Sequence, residues 1–146
     1  MTDHKTDAPV LSKFTKVDQI GIVVRNMEDK LKDFKKIFGI EPITIMESSR
    51  ESASIKTGFL YLGEVQIELI QIISGETLHS KFLEEKGEGI HHLAFFVDDL
   101  EKELTELEKE GIKVLDRGTV QGIIKFAYLD TEEALGVILE LIQTTI

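Results

Sequence analysis

The chain has 146 residues, 42% of them hydrophobic, no cysteine and a formal charge of −10. That length and apolar content suit one compact domain, or two half-modules sharing a core, and exclude disulfides, thiolate metal sites and cysteine nucleophiles. The acidic balance argues against nucleic acid or an anionic membrane surface as partners, and no apolar run approaches the roughly 20 residues of a membrane span.

Residues 1–15 read as a polar N-terminal arm without the apolar core of a secretory signal, so a cytoplasmic protein is expected. His4 is expected there as a solvated residue with no role. Residues 17–24 alternate as a strand, with Ile20, Ile22 and Val24 on one face and Gln19, Gly21 and Val23 on the other. Met27, Leu31, Phe34 and Phe38 then recur at spacings of three and four, an amphipathic helix ended by Gly39. A second strand starts at 42–46, and the small polar stretch 47–54 is expected as a loop or flap. Strands follow at 54–62 and 65–73 around a tight Gly63-Glu64 turn. Residues 76–89, closing in Gly87-Glu88-Gly89, read as a linker helix between two halves.

The order then repeats. Residues 92–97 alternate as a strand, with Leu93, Phe95 and Val97 opposite His92, Ala94 and Phe96. Leu100, Leu104 and Leu107 mark a charged helix ending at Gly111, followed by a strand at 112–115, a loop at 116–122, and strands at 123–129 and 137–144. The segments 16–75 and 90–146 are thus two βαβββ modules, predicting an α+β fold whose paired modules form a curved sheet with a concave metal-binding groove. Gln19 and His92 stand 73 positions apart and Glu68 and Glu140 72, and Glu68-Leu-Ile-Gln71 recurs as Glu140-Leu-Ile-Gln143.

Each module therefore supplies one polar residue early in its first strand and one in its last. On parity Gln19, Glu68, His92 and Glu140 all oppose the apolar set; if that set packs on the helices, the four meet in one groove. Any one of them alone reads as a polar residue at a solvated strand edge. Their paired spacing instead points to a divalent ion with positions left open for water or substrate. His91 has the opposite parity and is expected to be structural, while Gln66 shares the face of Glu68 as a supporting or substrate contact.

The module pair with these four positions resembles the vicinal-oxygen-chelate (glyoxalase/bleomycin resistance) superfamily over about residues 17–144. The stretch 81–111, with Gly89-Ile-His-His-Leu-Ala-Phe-Phe-Val-Asp-Asp-Leu100 at its centre, is most similar to methylmalonyl-CoA epimerases. The resemblance implies a divalent metal (Co, Zn, Ni, Mn or Mg) held by Gln19, Glu68, His92 and Glu140. It implies Glu140 as ligand and catalytic base, a second catalytic base at Glu51 with Glu47 behind it, a small-molecule substrate such as an acyl-CoA, and a homodimer. Two departures stand out. Gln19 replaces the usual epimerase histidine, giving a Gln–Glu–His–Glu set like that of some glyoxalase I enzymes, and residues 129–136 lack a His-Pro-Lys-type turn. The expected chemistry is removal of a proton α to a carbonyl. The alternatives are a glyoxalase I-like lyase acting on a hemithioacetal, whose glutathione carboxylates would find only Arg25 in the first strand, and a metal-free binding or resistance protein.

Overall fold

The computed structural model describes residues 14–144, so the expected arm, His4 included, lies outside them up to residue 13. The elements run β1 (Gln19–Val23), α1 (Met27–Phe38), β2 (Thr44–Arg50), β3 (Ala53–Leu62), β4 (Val65–Ser74), α2 (Leu78–Lys86), β5 (Gly89–Phe96), α3 (Leu100–Lys109), β6 (Val114–Val120), β7 (Ile124–Leu129), α4 (Glu132–Leu135) and β8 (Ile138–Thr144). The eight strands make one sheet in the order β2-β3-β4-β1-β5-β8-β7-β6, an α+β fold with a curled, half-barrel sheet. Strand β1 lies parallel to β4 and β5 parallel to β8; β1 and β5 pair antiparallel and join the two modules.

The recurring tetrapeptide has a structural meaning. In each copy the glutamine, three residues after the glutamate, points to the opposite face of its strand and accepts a hydrogen bond from a helix's first amide. Met27 N–H donates to Gln71 Oε1 at 2.7 Å, and Leu100 N–H donates to Gln143 Oε1 at 2.7 Å. Asn26 and Asp99 cap the same helices by accepting from the amides of Asp29 and Lys102. Each helix is therefore fastened to the last strand of its own module. Beneath α1 lies one core, with Val24, Met27, Leu60, Ile67 and Leu69 buried; beneath α3 lies another, with Phe95, Leu100, Leu104, Ala127, Leu129 and Leu141. With both helices on one face, the other face of the sheet remains as the groove.

Three expectations are corrected. Residues 47–54 are not a loop: β2 and β3 form a hairpin whose tip is Glu51-Ser52. Likewise most of 116–122 belongs to β6, with a tip at Gln121-Gly122-Ile123. Both are edge strands, where solvent on one side and the groove on the other remove the need for apolar alternation. Glu51 adopts φ 57° without being glycine, a conformation costing about 1–2 kcal/mol. The third correction concerns His91. Register passes from Gly21↔His92 to Ile22↔Ile90, so His91 is the extra residue of a β-bulge, and simple alternation does not apply to it. The connection at 129–136 carries α4, whose Glu132 pairs with Lys86 of α2.

The two edges of the sheet approach each other across the groove. Arg50 at the end of β2 donates to both carboxylate oxygens of Asp116 on β6, each at 3.0 Å, and to the carbonyl of Arg117 at 3.1 Å. Its guanidinium lies 5.9 Å from the centre of the Phe126 ring.

Candidate metal centre

His92 is fully buried, and its ring lies flat against the backbone of Gly21 on the neighbouring strand. A Cβ at position 21 would fall 2.1 Å from His92 Cε1, so only glycine leaves room for this ring. Around His92 Nε2 stand Glu140 Oε1 at 3.1 Å, Glu68 Oε1 at 3.4 Å and Gln19 Oε1 at 3.4 Å. The four residues named by spacing thus converge on one point, two from each module. Neighbouring ligands of an octahedral ion with bonds of about 2.1 Å stand about 3 Å apart, so the nitrogen and three oxygens fit a divalent cation with positions to spare.

Gln19 and His92 are each oriented by a neighbour. Gln19 Nε2 donates to Gln66 Oε1 at 2.7 Å, and Gln66 Nε2 donates to the Tyr61 hydroxyl at 3.2 Å. That leaves the Gln19 carbonyl oxygen turned toward His92. The bulge brings His91 Nδ1 to 2.9 Å from His92 Nδ1. His91 is held neutral, its pKa lowered to about 3 by burial and by the His92 and Lys86 charges, so its Nδ1 accepts from the His92 Nδ1–H. His92 Nε2 is then the atom turned to the carboxylates.

A family model for the glyoxalase/bleomycin resistance protein/dioxygenase superfamily matches residues 18–128. The chain belongs to this superfamily. It is 29% identical to the uncharacterized Bacillus subtilis protein YqjC over 88% of this chain and 91% of that one. It is 24% identical to the human mitochondrial methylmalonyl-CoA epimerase over 88% of this chain and 73% of that one. Among solved structures it resembles a hypothetical protein from Bacillus halodurans, with a TM-score of 0.78 and 28% identity over 88% of this chain and 94% of that one. The Streptomyces coelicolor methylmalonyl-CoA epimerase in complex with 2-nitronate-propionyl-CoA shares the fold, with a TM-score of 0.78 and 20% identity over 91% of this chain and 99% of that one.

In this superfamily member the carboxylates replace much of the hydration that His92 loses. Burial works against a charged imidazole, but hydrogen bonds and charge from Glu140 and Glu68 outweigh it and hold the His92 pKa up at about 9. A proton on Nε2 thus occupies the position a cation would take. Burial, with the nearby Glu68 charge, raises the Glu140 carboxyl, while His92 and the Tyr128 hydroxyl pull the other way.

Two residues of the site were not found from the sequence. Tyr128 is paired in register with Glu140 and bonds its carboxylate, while its hydroxyl lies 3.3 Å from His79 Nε2. His79, in the first turn of α2, also packs its ring 4.6 Å from that of His91. Burial and the neighbouring histidines hold His79 neutral. Their signal was hidden because the α4 connection conceals the register of β7 on β8, and because the linker has no counterpart in the repeat. His79, His91 and His92 also bring ring nitrogens within 4.8 Å of one another; His91 Nδ1 and His79 Nε2 are engaged by His92 and Tyr128, while His79 Nδ1 and His91 Nε2 are buried without a hydrogen-bond partner.

Of the two expected second bases, Glu47 pairs with Lys56, which pairs with Gln71. The Gln71 side chain faces α1, so Glu47 stands on the helix face and not in the groove. Glu51 is exposed at the tip of the β2–β3 hairpin, next to groove-facing Arg50.

Proposed function

We propose that the protein is a metal-dependent enzyme that moves a proton α to a carbonyl, acting on an acyl thioester as a methylmalonyl-CoA epimerase does. The observation that carries this reading is the position of Glu140. It is a buried carboxylate 3.1 Å from His92 Nε2, held by Tyr128, at the point where the donors of both modules meet. Gln19, Glu68, His92 and Glu140 would hold the ion, one of Co, Zn, Ni, Mn or Mg. When bound, such an ion supplies the positive charge that stabilises an oxyanion next to the reacting carbon.

The residues divide the remaining work. Glu140 takes the α-proton, and the C–H electron pair passes into the enolate. Tyr128, braced by His79, fixes which way the carboxylate faces. For epimerisation a proton must arrive on the opposite face, and Glu51, as an acid, donates it. Glu140 is then left protonated and Glu51 ionised. The cycle closes when the proton on Glu140 passes to solvent and one returns to Glu51. The similarity to epimerases of the superfamily supports the acyl thioester as substrate.

Gln19 favours a second reading, glyoxalase-like turnover of a hemithioacetal, because an amide oxygen in this donor set departs from the epimerase pattern. The test is loss of the α-proton signal of methylmalonyl-CoA in deuterated water. Metal-loaded protein should exchange it, and Glu140→Gln should slow exchange by about 10²- to 10⁴-fold. Turnover of a hemithioacetal without exchange would move the assignment to glyoxalase chemistry. Neither activity, in a protein that binds no metal, would point to a binding protein.

A further inference from the structure

The two edge strands β2 and β6 stand at opposite ends of the sheet order and share no ladder. They are fastened by side chains. The Arg50 guanidinium meets the Asp116 carboxylate as a two-pronged fork, with a third bond to the Arg117 carbonyl. The arrangement is supported from below. Arg50 lies over the Phe126 ring, and Gly118 opens the space: a Cβ there would stand 3.1 Å from Phe126 Cζ and 3.6 Å from Arg50 Cζ. A planar fork on a carboxylate fixes orientation as well as distance.

The residue after Arg50 is Glu51, held at φ 57° in a two-residue tip where glycine or asparagine would be at ease. Gln121, at the matching β6–β7 tip, adopts the same conformation with φ 55°, so the left-handed backbone is common to both tips; at the β2–β3 tip it places a carboxylate next to the clasp. At the other end of the pair, Asp116 is in register with Tyr128, and Tyr128 with Glu140. The ion pair therefore ties the tip that carries one carboxylate to the row of groove residues that carries the other.

We propose that Arg50 and Asp116 are positioning residues for the second proton transfer: their ion pair pins the β2–β3 tip so that Glu51 serves the substrate face opposite Glu140. This rests on the α-proton reading above. A purely structural edge clasp would affect every step alike. A clasp that positions Glu51 has a selective effect, because removal of the α-proton by Glu140 does not require Glu51, whereas inversion does.

The experiment follows the epimer of methylmalonyl-CoA whose α-proton exchange Glu140→Gln slows more strongly, in deuterated water with metal-loaded protein, recording α-proton exchange and conversion to the other epimer in the same sample. In Asp116→Asn and Arg50→Gln the ratio of conversion to exchange should fall at least tenfold, and Arg50→Lys should restore part of it. An unchanged ratio, whether both rates fall together or neither falls, overturns the proposal. Backbone hydrogen exchange of residues 50–54 provides a readout independent of activity. In Asp116→Asn, protection of that tip should drop at least tenfold while β1 and β5 keep theirs. Unchanged protection overturns the pinning. Absence of any α-proton exchange in the wild-type protein, with the tip loosened in Asp116→Asn, removes the catalytic reading and this role for Glu51 with it, and leaves only the clasp.

Discussion

Gly21 is as much a part of the centre as the side chains that would hold the ion. Its hydrogen is the only substituent that fits beneath the His92 imidazole, with an added Cβ falling 2.1 Å from Cε1. Gly21→Ala should therefore displace the ring and weaken divalent-metal binding by at least tenfold, measured by titration calorimetry. Gln66→Ala, which frees the Gln19 amide to turn, should cost about 10- to 100-fold in the same assay, the usual effect of removing a group that orients a ligand. Metal binding should also depend on pH in a defined direction. With the ion absent, His92 is held up at about 9 against its ordinary 6.5, so its stabilising contribution is complete below about pH 6.5 and is lost as pH rises through 9. The ion competes with that proton for Nε2. Apparent affinity should rise about tenfold per pH unit from 6.5 toward 9 and then level off; a flat profile would contradict the shared position. The four candidate ligands were legible in the sequence because strand parity and a duplicated spacing place them together. Tyr128 and His79 were not, since their part depends on a cross-strand register and on a linker that no periodicity describes.

At the scale of elements, duplication explains more than the metal ligands. Gln71 and Gln143 each accept from the first amide of the helix in their own module. Replacing either by alanine leaves a helix-terminal donor without its partner, and each change should destabilise the protein by about 1 kcal/mol in urea unfolding. The two bond different helices and share no partner, so the double variant should show the sum. The helices and central strands were legible because their apolar residues repeat at periods of 3.6 and 2. The edge strands β2 and β6 carry little strand signal because Glu47-Ser48-Ser49-Arg50 and Asp116-Arg117-Gly118-Thr119 bury no apolar stripe. What makes them strands is pairing with β3 and β7, and that contact is remote from any local pattern. The bulge at His91 is invisible for the same reason, and it is the feature that turns His91 into the support of His92.

For the whole molecule, the modules are joined by the β1–β5 pairing, by the Arg50–Asp116 clasp and by the candidate centre, to which each module contributes two donors. An ion bound there would hold the two halves together. At a free concentration 100 times its Kd, it should add about 2.7 kcal/mol to stability, a Tm rise of roughly 5–15 °C that a chelator reverses. The proposed chemistry requires that Gln19, Glu68, His92 and Glu140 hold a single divalent ion between the modules. Elemental analysis of the protein after loading and desalting tests it directly. One ion per chain is expected, lost in His92→Ala with the fold retained. Wild-type protein that retains no divalent ion, or a His92→Ala variant that retains its full complement, would contradict it.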